Sequence, residues 1–476
     1  MSVDIQTPAD TQAREIKRIF ALQQKNQYKV ADTSAAERKA KLSRLHDAIM
    51  KYRPQIKEAL YKDYKKHPAE VDLTEIYPVT TEIKDAKSNL SRWMANRKVN
   101  TPLALMGASS YIKYEPKGVV LIISPWNFPV NLTFGPLVSA IAAGNTVILK
   151  PSEMTPHTSA LMKKMVEELF EENEVALVEG AVGTSKALLD LPFNHIFFTG
   201  APSIGKVVMR AAAEHLTSVT LELGGKSPTV VDETADIDVA ARRVAWGKYV
   251  NNGQICIAPD YIFVHESKKA EFIAAVKKYL RDFYTENEQN ETSYARIVNH
   301  RHYERVKGYI EDAAAKGAVT EYGGKFAEEQ NFISPTVMTN VAENCALMEN
   351  EIFGPVLPVF GFTDLQSVVD KINAREKPLA LYIYSRSKKN QKFILNHTRA
   401  GGTCINHSSL HFFNPNLPFG GSNNSGIGKA HGAFGFEAFS DARAVMKQHI
   451  PNALELLLPP YNDFKEKLIE LTIKWF

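Results

Sequence analysis

Between residues 117 and 222, short apolar runs at 119–124, 145–150, 175–178, 195–199 and 219–223 alternate with stretches of helical length. The run Val119-Val120-Leu121-Ile122-Ile123 carries no polar residue on either alternate face. Such a strand must be covered on both sides, which a parallel sheet flanked by crossover helices achieves and a half-exposed antiparallel sheet does not. The expected fold is therefore a doubly wound, parallel α/β unit. The alternation resumes after Ser227, with strand candidates at 229–231, 261–264, 381–384 and 403–406, so a second α/β unit is expected to pack on the first across a cleft. The interval 285–330 is polar and reads as helix or loop. Over 36–66, Leu42, Leu45, Ile49, Tyr52, Ile56 and Leu60 recur at helical steps, and Pro54 is expected to kink or restart that helix. Lys39, Arg44, Lys51 and Lys62 form its opposite face, read as solvated and not as a membrane-surface stripe.

A chain of 476 residues, 44% hydrophobic and 23% charged, has the material for two or three such units and is not a disordered chain. Its net charge of +4 gives no footprint for nucleic acid. Cys256, Cys345 and Cys404 fit neither a disulfide framework nor a CxxC zinc site, so a reducing cytoplasm is the expected compartment and no metal is expected. Residues 1–10 hold two aspartates and no apolar segment, unlike an export signal. No stretch approaches the ~18–20 uninterrupted apolar residues of a membrane span.

In open parallel sheets, ligands bind beyond the carboxyl ends of the strands. Four polar or Gly-rich segments sit there: Pro125-Trp126-Asn127-Phe128-Pro129, Lys150-Pro151-Ser152-Glu153, Gly200-Ala201-Pro202-Ser203-Ile204-Gly205-Lys206 and Glu222-Leu223-Gly224-Gly225-Lys226. Singly, each has an ordinary reading as a turn residue, a solvated pair or a strand-end carboxylate. Their shared edge carries the functional reading. Gly200–Lys206 follows a strand and opens a helix, so its N–H groups suit a phosphate. It completes G-x-x-x-x-G-K, but Val207 replaces the Ser or Thr that ligates magnesium in a nucleotide-hydrolysing loop, which argues against an NTPase. The glycines at 420, 421, 426 and 428 read as a tight loop. Most cysteines are buried and inert, the reading taken for Cys345 and Cys404. Cys256 differs: in Asn251-Asn252-Gly253-Gln254-Ile255-Cys256-Ile257-Ala258-Pro259 it sits in an irregular segment, where a positive local field would make its thiolate nucleophilic.

Together, Pro125–Pro129, Gly144-Asn145-Thr146-Val147-Ile148-Leu149-Lys150-Pro151-Ser152-Glu153, Leu221–Lys226, the Cys256 segment and Glu351-Ile352-Phe353-Gly354-Pro355 resemble the ordered blocks of the aldehyde dehydrogenase superfamily, over about residues 15 to 447. Ala245-Trp246-Gly247-Lys248, Ala258-Pro259-Asp260-Tyr261 and Leu417-Pro418-Phe419-Gly420-Gly421 resemble its class 3 branch, which acts on medium-chain aliphatic and aromatic aldehydes. The resemblance implies Cys256 as nucleophile, Asn127 with the backbone N–H of Cys256 as oxyanion donors, and Glu222 as the base that activates water. It implies NAD, with NADP tolerated, held by Trp126, Lys150, Glu153, Gly200, Ser203, Gly205, Glu351 and Phe353. Lys150 and Glu351 would hold the riboses. Many members carry Ser after the first phosphate-loop glycine; Ala201 stands there, leaving backbone N–H groups, Ser203 or Trp126 for the pyrophosphate.

The implied layout is a cofactor-binding domain at 1–98 and 118–222, with 411–432 returning near it. A catalytic domain follows at 223–410, and 99–117 with 433–476 form a small β oligomerisation arm and C-terminal extension. A homodimer is expected through 111–114 and 437–445. Coenzyme A acylation, an NTPase and a non-catalytic binding protein are the competing readings.

Overall fold

The run that begins at Val119 lies in the middle of a six-stranded sheet. The computed structural model describes residues 8–451 and 453–475; the expectation of no export signal at 1–10 falls largely outside them. Edge to edge the sheet runs Gly426–Ile427, Ser218–Leu223, His195–Gly200, Val119–Ile123, Thr146–Lys150 and Val175–Leu177. All pairs but the first are parallel. Val120 and Ile122 enter one apolar core with helices Ala35–Tyr64, Tyr77–Trp93, Pro129–Ala143 and Pro156–Leu169. Val119, Leu121 and Ile123 enter another with Pro8–Ala31, Val182–Leu189 and Pro202–Glu214. Two-sided burial is what removes the polar alternation from this strand.

From Val119–Ile123 the chain winds outward to Thr146–Lys150 and Val175–Leu177. It then returns to the other side of its starting strand at His195–Gly200. Helices from the two directions diverge there, opening a crevice at the carboxyl ends, as in any doubly wound sheet. The Trp126–Asn127 and Gly200–Ser203 segments leave the strands at that crevice.

The second α/β unit holds seven strands in the order Val319–Tyr322, Thr336–Thr339, Val356–Phe362, Tyr261–His265, Pro228–Val231, Ala380–Tyr384 and Gly402–Ile405. The first three are not among the sequence candidates. Pro358 and Gly361 interrupt Val356–Phe362, and both residue types demote a run that otherwise reads as an interior strand. The restart at Pro54 does not occur: Ala35–Tyr64 is one 30-residue helix. Its buried face continues through Tyr52, Ile56 and Leu60, and this packing outweighs the loss of one helical hydrogen bond. The 420–428 glycine loop also contributes Gly426–Ile427, which pairs antiparallel with Leu221 and Glu222.

A third, three-stranded sheet projects from the body. Ser440–Gln448 pairs antiparallel along Ala108–Pro116, which also pairs with Arg97–Val99. Among the described residues no helix is long and apolar enough to cross a membrane.

Candidate active site

Helix Ile237–Tyr249 ends in a turn whose backbone is left-handed at three successive residues: Asn251 (φ 52°), Asn252 (φ 57°) and Gly253 (φ 70°). Non-glycine residues pay of order 1–3 kcal/mol each for such conformations, so neighbours must enforce them. The Asn251 N–H donates to Glu70 Oε1 (3.0 Å), and its side-chain amide donates to the Asn127 carbonyl (2.9 Å). Asn252 Nδ2 donates to the Ala295 carbonyl (2.9 Å). Gln254 Nε2 donates to the Arg296 carbonyl (3.0 Å), while Gln254 Oε1 accepts from the Val298 N–H (3.0 Å). A Cβ on Gly253 would lie 2.3 Å from the Gly354 carbonyl oxygen, so only glycine fits. Cys256 is thus presented from a rigid, strained loop.

Asn127 is held as tightly. Its backbone carbonyl accepts from Tyr64 Oη (2.9 Å), and its Nδ2 donates to the Gln254 carbonyl (2.9 Å), which ties the Asn127 and Cys256 loops together. Glu75 Oε2 accepts from the N–H groups of Val130 and Asn131 (3.1 and 2.9 Å), in the first turn of Pro129–Ala143. Lys66 Nζ lies 3.0 Å from Glu75 Oε1, with both side chains fully buried, and 4.1 Å from the Phe128 ring centroid. The charge pair and a helix N-terminus therefore compensate one another where water cannot. The backbone N–H groups of Cys256 and Ile257 face the sulfur.

These elements border a cleft of about 450 Å³ that brings together Trp126, Asn127, Gly200, Ser203, Glu222, Cys256, Glu351 and Phe353. It holds most of the sequence-expected residues. Three stand outside its lining. Lys150 Nζ donates to the Pro151 carbonyl (3.0 Å) and to Glu153 Oε2 (3.2 Å), so these two side chains engage each other. Gly205 lies against the sheet: a Cβ there would be 2.7 Å from Leu223 Cδ2, which makes it a helix-packing glycine. His302, Arg305 and Tyr309 also line the cleft and were not anticipated. Arg305 donates to the carbonyls of Ile352 (2.9 Å) and Phe353 (3.1 Å), pinning a loop in which Phe353 has φ 44°. The Trp126 ring meets Phe353 edge-on at 5.4 Å and His302 at 5.2 Å. Nothing local marked these residues, because they come from a helix in the interval read only as polar.

The field at Cys256 opposes the expectation. Burial first, then the Glu351 and Glu222 carboxylates, push the thiol well above its ordinary range, against smaller help from the two N–H groups. Burial also pushes Glu222 up to about 8, with Lys429 pulling it down and Glu82 adding to the rise. Glu351 is likewise pushed up to about 8 by burial and then by Asp260, although the Gly225 N–H donates to it. Oε1 of both glutamates is buried without a hydrogen-bond partner. Paired, convergent and desolvated carboxyls beside a nucleophile are the marks of a reaction site and not of structural ion pairs.

The cleft also fits a dinucleotide. Gly200, Ala201 and Ser203 present the N-terminus of the 13-residue helix Pro202–Glu214, whose first N–H groups suit a phosphate. The unpartnered Glu351 Oε1 is an acceptor that ribose hydroxyls would satisfy. A second, apolar cavity of about 60 Å³ reaches Cys256 separately, between Phe128, Leu132, Trp246, Phe412, Phe413 and Phe419.

A sequence profile described as "Aldehyde dehydrogenase family" matches residues 2–445. The chain is 43% identical over 437 residues to the 4,4'-diaponeurosporen-aldehyde dehydrogenase of Staphylococcus aureus, covering 92% of this chain and 94% of that one. It is 41% identical over 397 residues to a Rattus norvegicus protein named "Aldehyde dehydrogenase, dimeric NADP-preferring", covering 83% of this chain and 86% of the relative. Among solved structures, a substrate-bound state of Staphylococcus aureus AldH superposes with a TM-score of 0.92 at 41% identity, covering 96% of this chain and 99% of that one. The NAD+ complex of an aldehyde dehydrogenase from Bacillus cereus superposes with a TM-score of 0.84 at 28% identity, covering 92% and 89%.

Proposed function

Because the chain belongs to the aldehyde dehydrogenase family and oxidises an aldehyde to the carboxylate with NAD(P), we propose that Cys256, Glu222 and Asn127 carry the reaction, on medium-chain aliphatic or aromatic aldehydes. The observation that carries this reading is the position of Cys256 at the junction of two cavities, one with carboxyl, amide and guanidinium side chains in its wall and one almost wholly apolar. The cofactor cleft holds Glu222, Glu351 and the Pro202–Glu214 N-terminus in one lining with the sulfur. The other cavity, walled by Phe and Trp rings, suits an apolar aldehyde tail, since burial of its CH₂ groups yields about 0.8 kcal/mol each.

The Cys256 thiol gives up its proton to solvent and the sulfur adds to the aldehyde carbon, so that a C–S bond forms as the carbonyl π pair moves onto oxygen, giving a tetrahedral thiohemiacetal. Asn127 Nδ2, with the hydrogen not given to the Gln254 carbonyl, and the Cys256 N–H are in this reading the donors to its oxygen, and one such donor is typically worth about 10²–10³ in rate. NAD(P), when bound, supplies the hydride acceptor. Loss of hydride from the thiohemiacetal carbon would leave a Cys256 thioester. Glu222 then takes a proton from water as the oxygen attacks the acyl carbon, and the C–S bond breaks. A buried base at that position favours water over coenzyme A as the acyl acceptor. Trp126, Gly200, Ser203, Glu351 and Phe353 hold the cofactor from the cleft, and Lys150, Glu153 and Gly205 lie outside its lining.

An aldehyde panel run with NAD and NADP tests the substrate reading. kcat/KM should climb with aliphatic chain length and be high for aromatic aldehydes; a preference for short or charged aldehydes would overturn it. For the cofactor, NAD should be preferred and Glu153→Gln should raise the NADP-to-NAD ratio of kcat/KM. The rise should stay below about tenfold, because two charges ~4 Å apart in water differ by only about 1 kcal/mol and Lys150 already neutralises part of the field. An unchanged ratio, or a wild type favouring NADP, would remove Glu153 from cofactor choice.

In this reading 1–98 and 118–222 bind the cofactor, 223–410 carry the catalysis, and the protein assembles as a homodimer through 111–114 and 437–445, along the exposed pairing of Ala108–Pro116 with Ser440–Gln448. The free thiols of all three cysteines fit a cytoplasmic setting.

A further inference from the structure

Glu222 forms a wall shared by two cavities, the cofactor cleft and a second one lined by Glu82, Ser139, Phe412 and His431. The second opens past Tyr77, which is 51% exposed. Its volume of about 30 Å³ exceeds the roughly 10–15 Å³ that one water needs, which leaves room for about two. A water also needs polar partners, and the walls supply them. Glu222 Oε1 and His431 Nδ1 are both buried without a hydrogen bond, and His431 Nδ1 lies 3.4 Å from Glu82 Oε1. Glu82 Oε2 accepts from the Gly432 N–H at 3.1 Å, which fixes the carboxyl. His431 itself has φ 75°, a conformation unfavourable for this residue, and is clamped between the Phe412 and Phe419 rings at 4.7 and 5.1 Å.

Aldehyde oxidation leaves protons behind. Aldehyde, NAD+ and water yield carboxylate, NADH and two protons, and the proton taken up by Glu222 has to leave a buried carboxyl. We propose that Glu82, with His431, receives through this cavity the proton that Glu222 takes from the hydrolytic water, and delivers it to solvent at the Tyr77 mouth. The step balances without a further reactant. One water O–H bond breaks, its oxygen bonds to the acyl carbon, and the C–S bond releases the thiolate. The proton moves from the Glu222 carboxyl along cavity water to the Glu82 carboxylate and then to bulk, restoring both groups.

The surroundings bring the two carboxyls close in proton affinity. Burial pushes Glu82 up to about 7 and Glu222 up to about 8, so a proton moves between them without a large climb. Asp85, beside Glu82, raises it further, and Lys429 acts on Glu222 from the loop that follows Gly428. Burial, and then His411, hold His431 down to about 4, so its ring is neutral near pH 7 and can both accept and donate. The Phe412 carbonyl faces the same ring.

This inference rests on Glu222 as the base, so the experiment separates the two. In Glu82→Gln and Glu82→Ala, rapid mixing should show a burst of NADH at the wild-type rate. Steady-state kcat should then fall about tenfold, less than the roughly 10²–10⁴ expected for losing the base itself. Formate should restore turnover in Glu82→Ala, where it can enter the vacated space, and not in Glu82→Gln. Wild-type kcat in both variants overturns the relay, as does a fall that formate leaves unchanged in Glu82→Ala. A burst slowed along with turnover also overturns it, because Glu82 would then support the fold of the acylation site. If Glu222→Gln keeps its steady-state turnover, the base assignment fails instead.

Discussion

Cys256→Ala should remove dehydrogenase activity by at least about 10⁴-fold while NAD still binds, because no other side chain in the cleft can form the covalent adduct. Cys345 is fully buried in the apolar core of the second α/β unit, and Cys404 lies on its edge strand Gly402–Ile405 beyond the cleft lining. Cys345→Ala and Cys404→Ala should therefore keep turnover, with Cys345→Ala losing some stability for the cavity it leaves. NADH formation with each purified variant, alongside NAD titration by protein fluorescence, reads both halves of the prediction. Comparable loss of turnover in a folded Cys345→Ala or Cys404→Ala would overturn the assignment. The field around the sulfur sharpens the expectation. Burial, and then two carboxyls and no cation, raise the pKa of this thiol.

Glu222→Gln should separate the two half-reactions. Hydride transfer precedes the step in which the base acts, and removing a carboxylate that raises the Cys256 pKa does not hinder the attack of sulfur. Rapid mixing should show up to one equivalent of NADH per active site, followed by turnover reduced by about 10²–10⁴. The wild-type enzyme adds a pH signature. A base pushed up to about 8 is mostly protonated, and so inactive, below that value. Deacylation should therefore accelerate as pH rises towards 8 and level off above it, and the variant should lose this limb. A first turnover slowed as severely as steady state would instead place Glu222 in thiol activation.

Local chemistry wrote much of the layout into the sequence. The unbroken run Val119-Val120-Leu121-Ile122-Ile123 dictated a strand covered on both faces, and the structure divides those five side chains between two cores. Parallel winding then brought Trp126, Asn127, Gly200, Ser203 and Glu222 to one end of one sheet, because ligand-facing loops follow the carboxyl ends of strands. The strand Val356–Phe362, interrupted by Pro358 and Gly361, escaped that reading, since its place depends on its neighbours and not on its own pattern.

Tertiary packing alone decided the electrostatics and the support. Tyr64 reaches Asn127 across 63 positions, Glu75 caps a helix 55 and 56 positions away, and the Gly432 N–H meets Glu82 across 350. No periodicity or motif encodes such pairings. The sign of the field at Cys256 likewise depends on which charges desolvation brings close. A sequence shows that Glu222 and Glu351 carry carboxyls, but only burial beside the sulfur turns them into groups that titrate near pH 8. The sequence thus determined which chemical groups lie at which strand ends, because those placements follow from local side-chain pattern. Their protonation states, their partners and the route by which a proton leaves came from the three-dimensional arrangement, because desolvation and Coulomb forces act through space and not along the chain.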